Sequence, residues 1–208
     1  MKITRIKAIC KTEKHCIIYE QGESRRLIGT RNAAYPANEL NISRYSLKTI
    51  FDWPDVLNDI GVETVALEET RMHPMSEWHQ HLVELTPCWT VAYAGEAIIP
   101  MMHKNGLLFV REAYVSAAEK IEGYTHYYLS ENAMGEPLVV ISDGLITTAI
   151  VKPLPINTAK GICTYMAELC RTNVQGWPDR EGIVDDNSLN KQIAMDEMLE
   201  EAKNDDRE

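Results

Sequence analysis

No stretch of this chain approaches the ~20 consecutive apolar residues that a membrane-spanning helix requires, so no membrane partner is expected. The opening residues, MKITRIKAICKTEKHC, carry cations but no continuous apolar segment and no small-residue cleavage site. They read as a first strand rather than a secretion signal. Neither a GxxxxGK[ST] phosphate loop nor a GxGxxG dinucleotide turn occurs. A GxSxG nucleophile elbow and the H-E-x-x-H of zinc peptidases are also missing. No cofactor is therefore expected. Cysteine comes without CxxC spacing: Cys10, Cys16, Cys88, Cys163 and Cys170 are an odd set at irregular intervals. Zinc knuckles and thioredoxin-like sites are excluded on that ground. The five read as buried free thiols of a reducing cytoplasm. Cys163 and Cys170 fall on one predicted helix about 10 Å apart along its axis, too far to bond to each other.

What is present is an acidic chain with a basic beginning. The net charge is −10 over 208 residues. Lys2, Arg5, Lys7, Lys11, Lys14, Arg25, Arg26 and Arg31 face only Glu13, Glu20 and Glu23 in the first part of the sequence. From Asp179 onward, eleven acidic residues face Arg180, Lys191, Lys203 and Arg207. Such a protein cannot coat nucleic acid indiscriminately, but it can present one basic face to phosphates. Arg5, Lys7, Arg25, Arg26 and Arg31 are the candidate nucleic-acid contacts. The plainer reading makes Arg5 and Lys7 the solvent side of an edge strand.

Patterning points to an α+β protein. Strands are expected over Ile3–Cys10, Cys16–Glu20, Leu27–Gly29 and Val62–Leu67, with a loop over Asn32–Asn41. Ser43 is expected to cap a short helix and Pro54 to start another, which Gly61 would end. His73–Leu85 fits a helix through the stripe Met75, Trp78, Leu82 and Leu85; as a strand, Glu77, His79, His81 and Val83 would share a face. Strands follow at Trp89–Tyr93, Ala97–Met102 and Leu107–Val110, then a helix over Glu112–Ile121. Three strand-like runs, Thr125–Leu129, Leu138–Ile141 and Leu145–Val151, are divided by Asn132–Pro137 and by Ser142-Asp143-Gly144. Asp-Gly between two β-rich runs predicts a type I′ hairpin. A helix capped at Asn157-Thr158 runs through Arg171 and breaks at Gly176-Trp177-Pro178. TVAYAGEAIIPM and VVISDGLITTAIVKPL echo each other about fifty residues apart. The expected architecture is a mixed or antiparallel sheet with helices on one side, built of two βαβββ-like halves (1–104 and 105–176). Residues 177–208 would add an acidic helical tail with a disordered end.

The stretch from Gly106 to Pro155, with the upstream LIGTRNAAYP and FDWPD, resembles a group of uncharacterised prophage proteins. The likeness spans Leu27–Pro155, rests on a GEPLVV-like strand and a final strand closing on proline, and implies a bacterial virus or mobile element as source. It brings no activity with it. The order strand, helix, three strands, repeated once, is similar to the half-domains of DNA sliding clamps. No clamp motif aligns residue by residue, so no functional residue is transferred.

The candidate metal ligands are His79 and His81 with Glu77, which share one face only if the segment is a strand. On a helix the two histidines point about 200° apart. Cys88 is read as a core thiol entering a strand, and Trp177, beside a proline, as a partner contact. The reading as a whole is a non-enzymatic, cytoplasmic binding protein of phage or mobile-element type. A clamp-like accessory role in DNA replication or recombination comes first, with a protein partner, self included. Two alternatives stand beside it: a small metal-dependent hydrolase using His79 and His81, and an anti-defence or host-interaction protein with an acidic surface.

Overall fold

The first element overturns the first expectation. In the computed structural model, which describes residues 2–22, 25–37, 40, 42–75, 83–104, 106–118 and 124–176, Ile3–Glu13 is a helix, α1. Ile6, Ile9 and Cys10 form its buried stripe, while Ala8 is exposed. Spacings of three and four residues match one helical face. The alternation of Ile6, Ala8 and Cys10 was the weaker period. Lys14 ends the helix in the left-handed region at φ 52°, and its N–H returns to the Cys10 carbonyl.

Three antiparallel strands follow: β1 (His15–Gln21), β2 (Arg25–Gly29) and β3 (Ala33–Pro36). β3 lies where a loop was expected. Its Ala33, Ala34 and Tyr35 are fully buried because the strand pairs on both edges. Two one-turn helices, α2 (Leu47–Ile50) and α3 (Val56–Asp59), come next. Ser46, not Ser43, precedes α2, and the two serines bond to each other. Gly61 is not a helix cap; it opens β4 (Gly61–Ala66), which runs parallel to β1. A 3-10 turn covers Leu67–Glu69.

The helix expected over 73–85 is absent at both described ends. Residues 73–75 are not helical, and Val83–Glu84 is a strand, β5, on the edge of β10 (Thr125–Glu131). Met75 N–H is drawn to the Glu131 carbonyl at 2.9 Å. Residues 76–82 between them lie outside the described residues. β6 (Thr86–Pro87), β7 (Val91–Tyr93), β8 (Glu96–His103) and β9 (Gly106–Arg111) make a separate four-stranded antiparallel sheet centred on β8. Then come α4 (Glu112–Ala117), β10, β11 (Pro137–Asp143), β12 (Ile146–Val151) and α5 (Ile156–Gly176). α5 runs past the expected end at Arg171 to Gly176, the last described residue; Trp177 and Pro178 of the expected break and the acidic tail lie outside the described residues.

The large sheet runs β4-β1-β2-β3-β12-β11-β10-β5. Its middle six strands are two meanders, each led by a helix: α1-β1-β2-β3 and α4-β10-β11-β12. They meet through Ile150↔Ala34 and Val151↔Ala33. The order therefore reads outward identically from the β3–β12 seam, as an internal two-fold repeat would. The repeat is not the one echoed in sequence, because the strands within 90–101 and within 139–154 lie in different sheets. α1 and α4 touch where Lys2 N–H meets the Ala117 carbonyl. Strand alternation sends Ile18, Ile28, Tyr35, Ile141 and Val151 to one core, with α1, α2, α3 and α4. Ile17, Tyr19, Leu27, Leu138 and Ile150 go to the other face, under Leu67 and Met72. The α+β class, the mixed sheet and the helices on one side of it are as expected. Two compact units are distinguished, Met1–Ile162 and Cys163–Glu208; the sheets belong to the first, and the described part of the second is the remainder of α5.

The β11–β12 turn is one residue later than the Asp-Gly signal implied. Asp143 pairs with Ile146, so Gly144 and Leu145 are the central residues. Gly144 has φ +57° and Leu145 is not in the positive region. That fits a type II′ turn, which needs positive φ only at its first position. The type I′ pattern occurs instead at Ala94-Gly95, with φ of 51° and 79° between paired Tyr93 and Glu96. Gly144→Val is expected to lower stability by at least ~1 kcal/mol, since a β-branched residue is strained at that φ. Urea unfolding measures it, and a neutral result would place the turn elsewhere.

Candidate functional site

The solvent side of α1 gathers several cations. At about 100° per residue, Thr4, Ala8 and Thr12 lie along its outer line, and all are exposed. Arg5 falls on one flank, and its guanidinium donates to the Ser116 carbonyl at 3.0 Å, toward α4. Lys7 and Lys11 fall on the other. Lys7 Nζ donates to the Asp52 carbonyl at 2.9 Å, and Lys11 sits over the Trp53 ring at 5.8 Å. Trp53 is half-buried and fixed by its own indole N–H, which donates to Asp59 at 2.7 Å. A strip of small side chains is thus edged by cations whose positions are held by neighbouring elements. Lys2 and Lys14 extend the charge at the two ends.

The one acid of the helix, Glu13, is tied to neighbouring elements by hydrogen bonds. Glu13 accepts from Tyr114 Oη at 2.6 Å through one oxygen and from Asn32 Nδ2 at 3.1 Å through the other. Tyr114 in turn accepts from Arg111 at 2.7 Å, and Arg111 donates to Glu96 at 2.8 Å. Arg111 also lies over the Tyr114 ring, 5.6 Å from its centre. Burial, and then the hydrogen bond to Glu13, push the Tyr114 phenol up to about 12. A cavity of about 480 Å³ lies between α1, α4 and β8; Arg5 and Arg111 line it together with the acids Glu13, Glu96 and Glu112, and Ile9, Ala97 and Ala113 supply apolar surface. Its size is in the range of ligand clefts. Arg111, Tyr114, Glu13 and Glu96 were not singled out from sequence. The only local signal was Arg111 and Tyr114 three apart, and the partner acids are remote.

The other predicted contacts are not gathered on the same face. Arg26 donates to the Ile42 carbonyl at 2.8 Å and pairs with Glu20 at 3.4 Å. Arg25 lies beside it on β2, and Arg31 stands at the β2–β3 turn, 4.0 Å from Glu63. Arg5 and Lys7 belong to a helix and not to an edge strand, which is what sets them on opposite flanks. Glu77, His79, His81 and Trp177 lie outside the described residues. Among the described residues, no group of three or more His, Cys, Asp or Glu side chains could hold a metal ion. All five cysteines are free, as expected, but only Cys10 and Cys16 are buried; Cys88, Cys163 and Cys170 are exposed. Cys88 does not enter a core strand, because its N–H bonds to Pro100 at the margin of the small sheet, beside a 93 % exposed Trp89. No helix among the described residues is long and apolar enough to cross a membrane. Comparison with protein-family models, with curated proteins and with solved structures finds no match for this chain.

Proposed function

We propose that this is a non-enzymatic binding protein that holds nucleic acid by its phosphodiester backbone against the outer face of α1. The observation that carries the reading is the sorting of charge on that helix. Arg5, Lys7 and Lys11 edge a strip of small residues, while Glu13 is bonded to Tyr114 and Asn32. In a chain of net charge −10, such a concentration is a local attractor for phosphate, and the acidic remainder would limit non-specific coating. An accessory role in replication or recombination is the refinement. It is supported by the twofold α-β-β-β order with its two helices side by side, the plan that a clamp-like protein would need. α4 adds no cation of its own, so α1 would make the phosphate contacts. A phage or mobile-element source is carried by sequence resemblance alone.

Fluorescence anisotropy with labelled duplex and single-stranded DNA, at several salt concentrations, tests the reading. Binding is expected with a Kd of about 10⁻⁴ to 10⁻⁶ M at physiological salt and a steep loss as salt rises. Changing Arg5, Lys7 and Lys11 together to glutamine should flatten the log–log salt dependence by about 0.9 for each phosphate contact removed. A circular dichroism melt confirms that the triple variant is folded. Affinity that ignores salt, or a folded triple variant that binds like the parent, would sink the proposal.

A further inference from the structure

A second cavity, about 410 Å³, opens on the sheet face opposite α1. Its floor is apolar: Ile17 and Tyr19 from β1, Val65 from β4, and Met72. The Tyr19 hydroxyl is already committed to the Thr30 carbonyl at 2.5 Å, so the residue offers the cavity its ring. The walls carry three cations, Arg31, Arg71 and Lys152, against one carboxylate, Glu63. That surplus is unusual in a protein of net charge −10.

The cations are placed by the fold. Lys152 follows β12 directly, and its backbone N–H donates to the Asn32 carbonyl at 2.8 Å, which seats it beside the Arg31 turn. Arg71 and Lys152 are held by a shared acid outside the cavity lining: Glu136 takes Arg71 on one oxygen at 2.9 Å and Lys152 on the other at 3.3 Å. Asn132 bonds both Glu136 and the Arg71 carbonyl, so this acid is anchored from behind. The Asn132 amide first, then Lys152 and Arg71, hold the Glu136 carboxyl below its usual range. Glu63 is occupied by His15 at 2.8 Å and approached by Arg31 at 4.0 Å. Each cation keeps donors to spare: a guanidinium has five N–H groups and an ammonium three.

We propose that this cavity binds a small phosphate monoester with a planar or apolar body, of about nucleoside monophosphate size. A phosphate monoester has three terminal oxygens for three separate cations, where a carboxylate has two oxygens and one charge. The apolar floor under Tyr19 and Met72 accepts the body of the ligand. The site shares no cation with the α1 face and stands or falls apart from it.

Isothermal titration calorimetry with AMP, ribose 5-phosphate and adenosine tests this. AMP is expected to bind most tightly and adenosine at least about tenfold more weakly, because it lacks the charged group. Arg31→Ala removes a side chain that is 74 % exposed, so it should leave the melting temperature unchanged while weakening AMP about tenfold. Lys152→Met keeps the aliphatic stem and should weaken AMP similarly. Glutamine at Arg5, Lys7 and Lys11 should leave AMP binding as it is. Adenosine binding as tightly as AMP, no AMP binding at millimolar concentration, or an unaffected Arg31→Ala would overturn the assignment. Ribose 5-phosphate matching AMP would overturn the role given to the floor.

Discussion

Gly29→Ala is expected to unfold the protein or leave it barely folded. Gly29 closes β2 and pairs with Ala34 of β3. A Cβ there would overlap the Ala33 carbonyl oxygen and lie 2.9 Å from both the Ala33 carbonyl carbon and the Ala34 Cα. All three are backbone atoms, so no rotamer change relieves the contact. The Ala33 oxygen also accepts the Thr30 N–H at 2.8 Å, the bond that closes the tight β2–β3 connection. Moving it would release β3, the strand that joins the two α-β-β-β units. A loss of at least ~4 kcal/mol is expected, much of the ~5–15 kcal/mol that a domain has in hand. Gly22→Ala makes a fair comparison. That glycine has nothing within 4 Å of the added carbon, and only its φ of +59° opposes the change. It should cost about 1 kcal/mol. Urea melts of the two variants measure both, and equal effects would mean that the β2–β3 register is wrong.

The second large effect is alkaline unfolding. Tyr19, Tyr35 and Tyr114 are all buried, and burial pushes each phenol above its ordinary value. Tyr35 Oη also donates to the Tyr114 carbonyl at 2.9 Å, and Tyr114 Oη donates to Glu13. Ionising Tyr114 would set a phenolate against a carboxylate. The unfolded chain ionises its tyrosines near pH 10, while Tyr114 in the fold waits until about 12. The folded state thus holds these protons more tightly. Their contribution is fully present below pH ~10 and is lost as pH rises toward 12. Each tyrosine still protonated in the fold costs ~1.4 kcal/mol per pH unit above that point. With three acting together, stability should fall by up to ~4 kcal/mol between pH ~10 and ~11. Cys10, raised by its hydrogen bond to Cys16 and by burial, adds the same sign from somewhat lower pH. Tyr114→Phe should reduce the steepness by about a third. Chemical denaturation at a series of pH values reads this directly. Stability that stays level from pH ~9 to ~11 would contradict the burial of these phenols.

Some of this molecule was legible before any coordinate. The strands at 125–131, 137–143 and 146–151 announce themselves because β-rich runs are separated by turn residues, all within a short window. The same holds for β7, β8 and β9 and for the helix beginning near Asn157. Absence of the common phosphate, dinucleotide and nucleophile motifs, and the basic start of an acidic chain, are properties of residue order alone. These determined the α+β class and the cluster of cations near the start of the chain.

What only tertiary structure decided depends on distant partners. α1 has two competing periods, and burial of Ile6, Ile9 and Cys10 against the sheet and neighbouring helices selects the helical one. β3 has four residues and no signal of its own; it is a strand because β2 and β12 flank it, the latter from more than a hundred residues away in sequence. Val83 and Glu84 are drawn to the free edge of β10, against the local stripe. The anchoring of Glu13 needs Asn32 and Tyr114 at once, and the second cavity needs β1, β4, the β2–β3 turn and the end of β12 to converge. Sequence periodicity reports which face of a segment is apolar, over a few residues. Which partner covers that face, and which charges then lie side by side, is set by strand pairing across the whole chain.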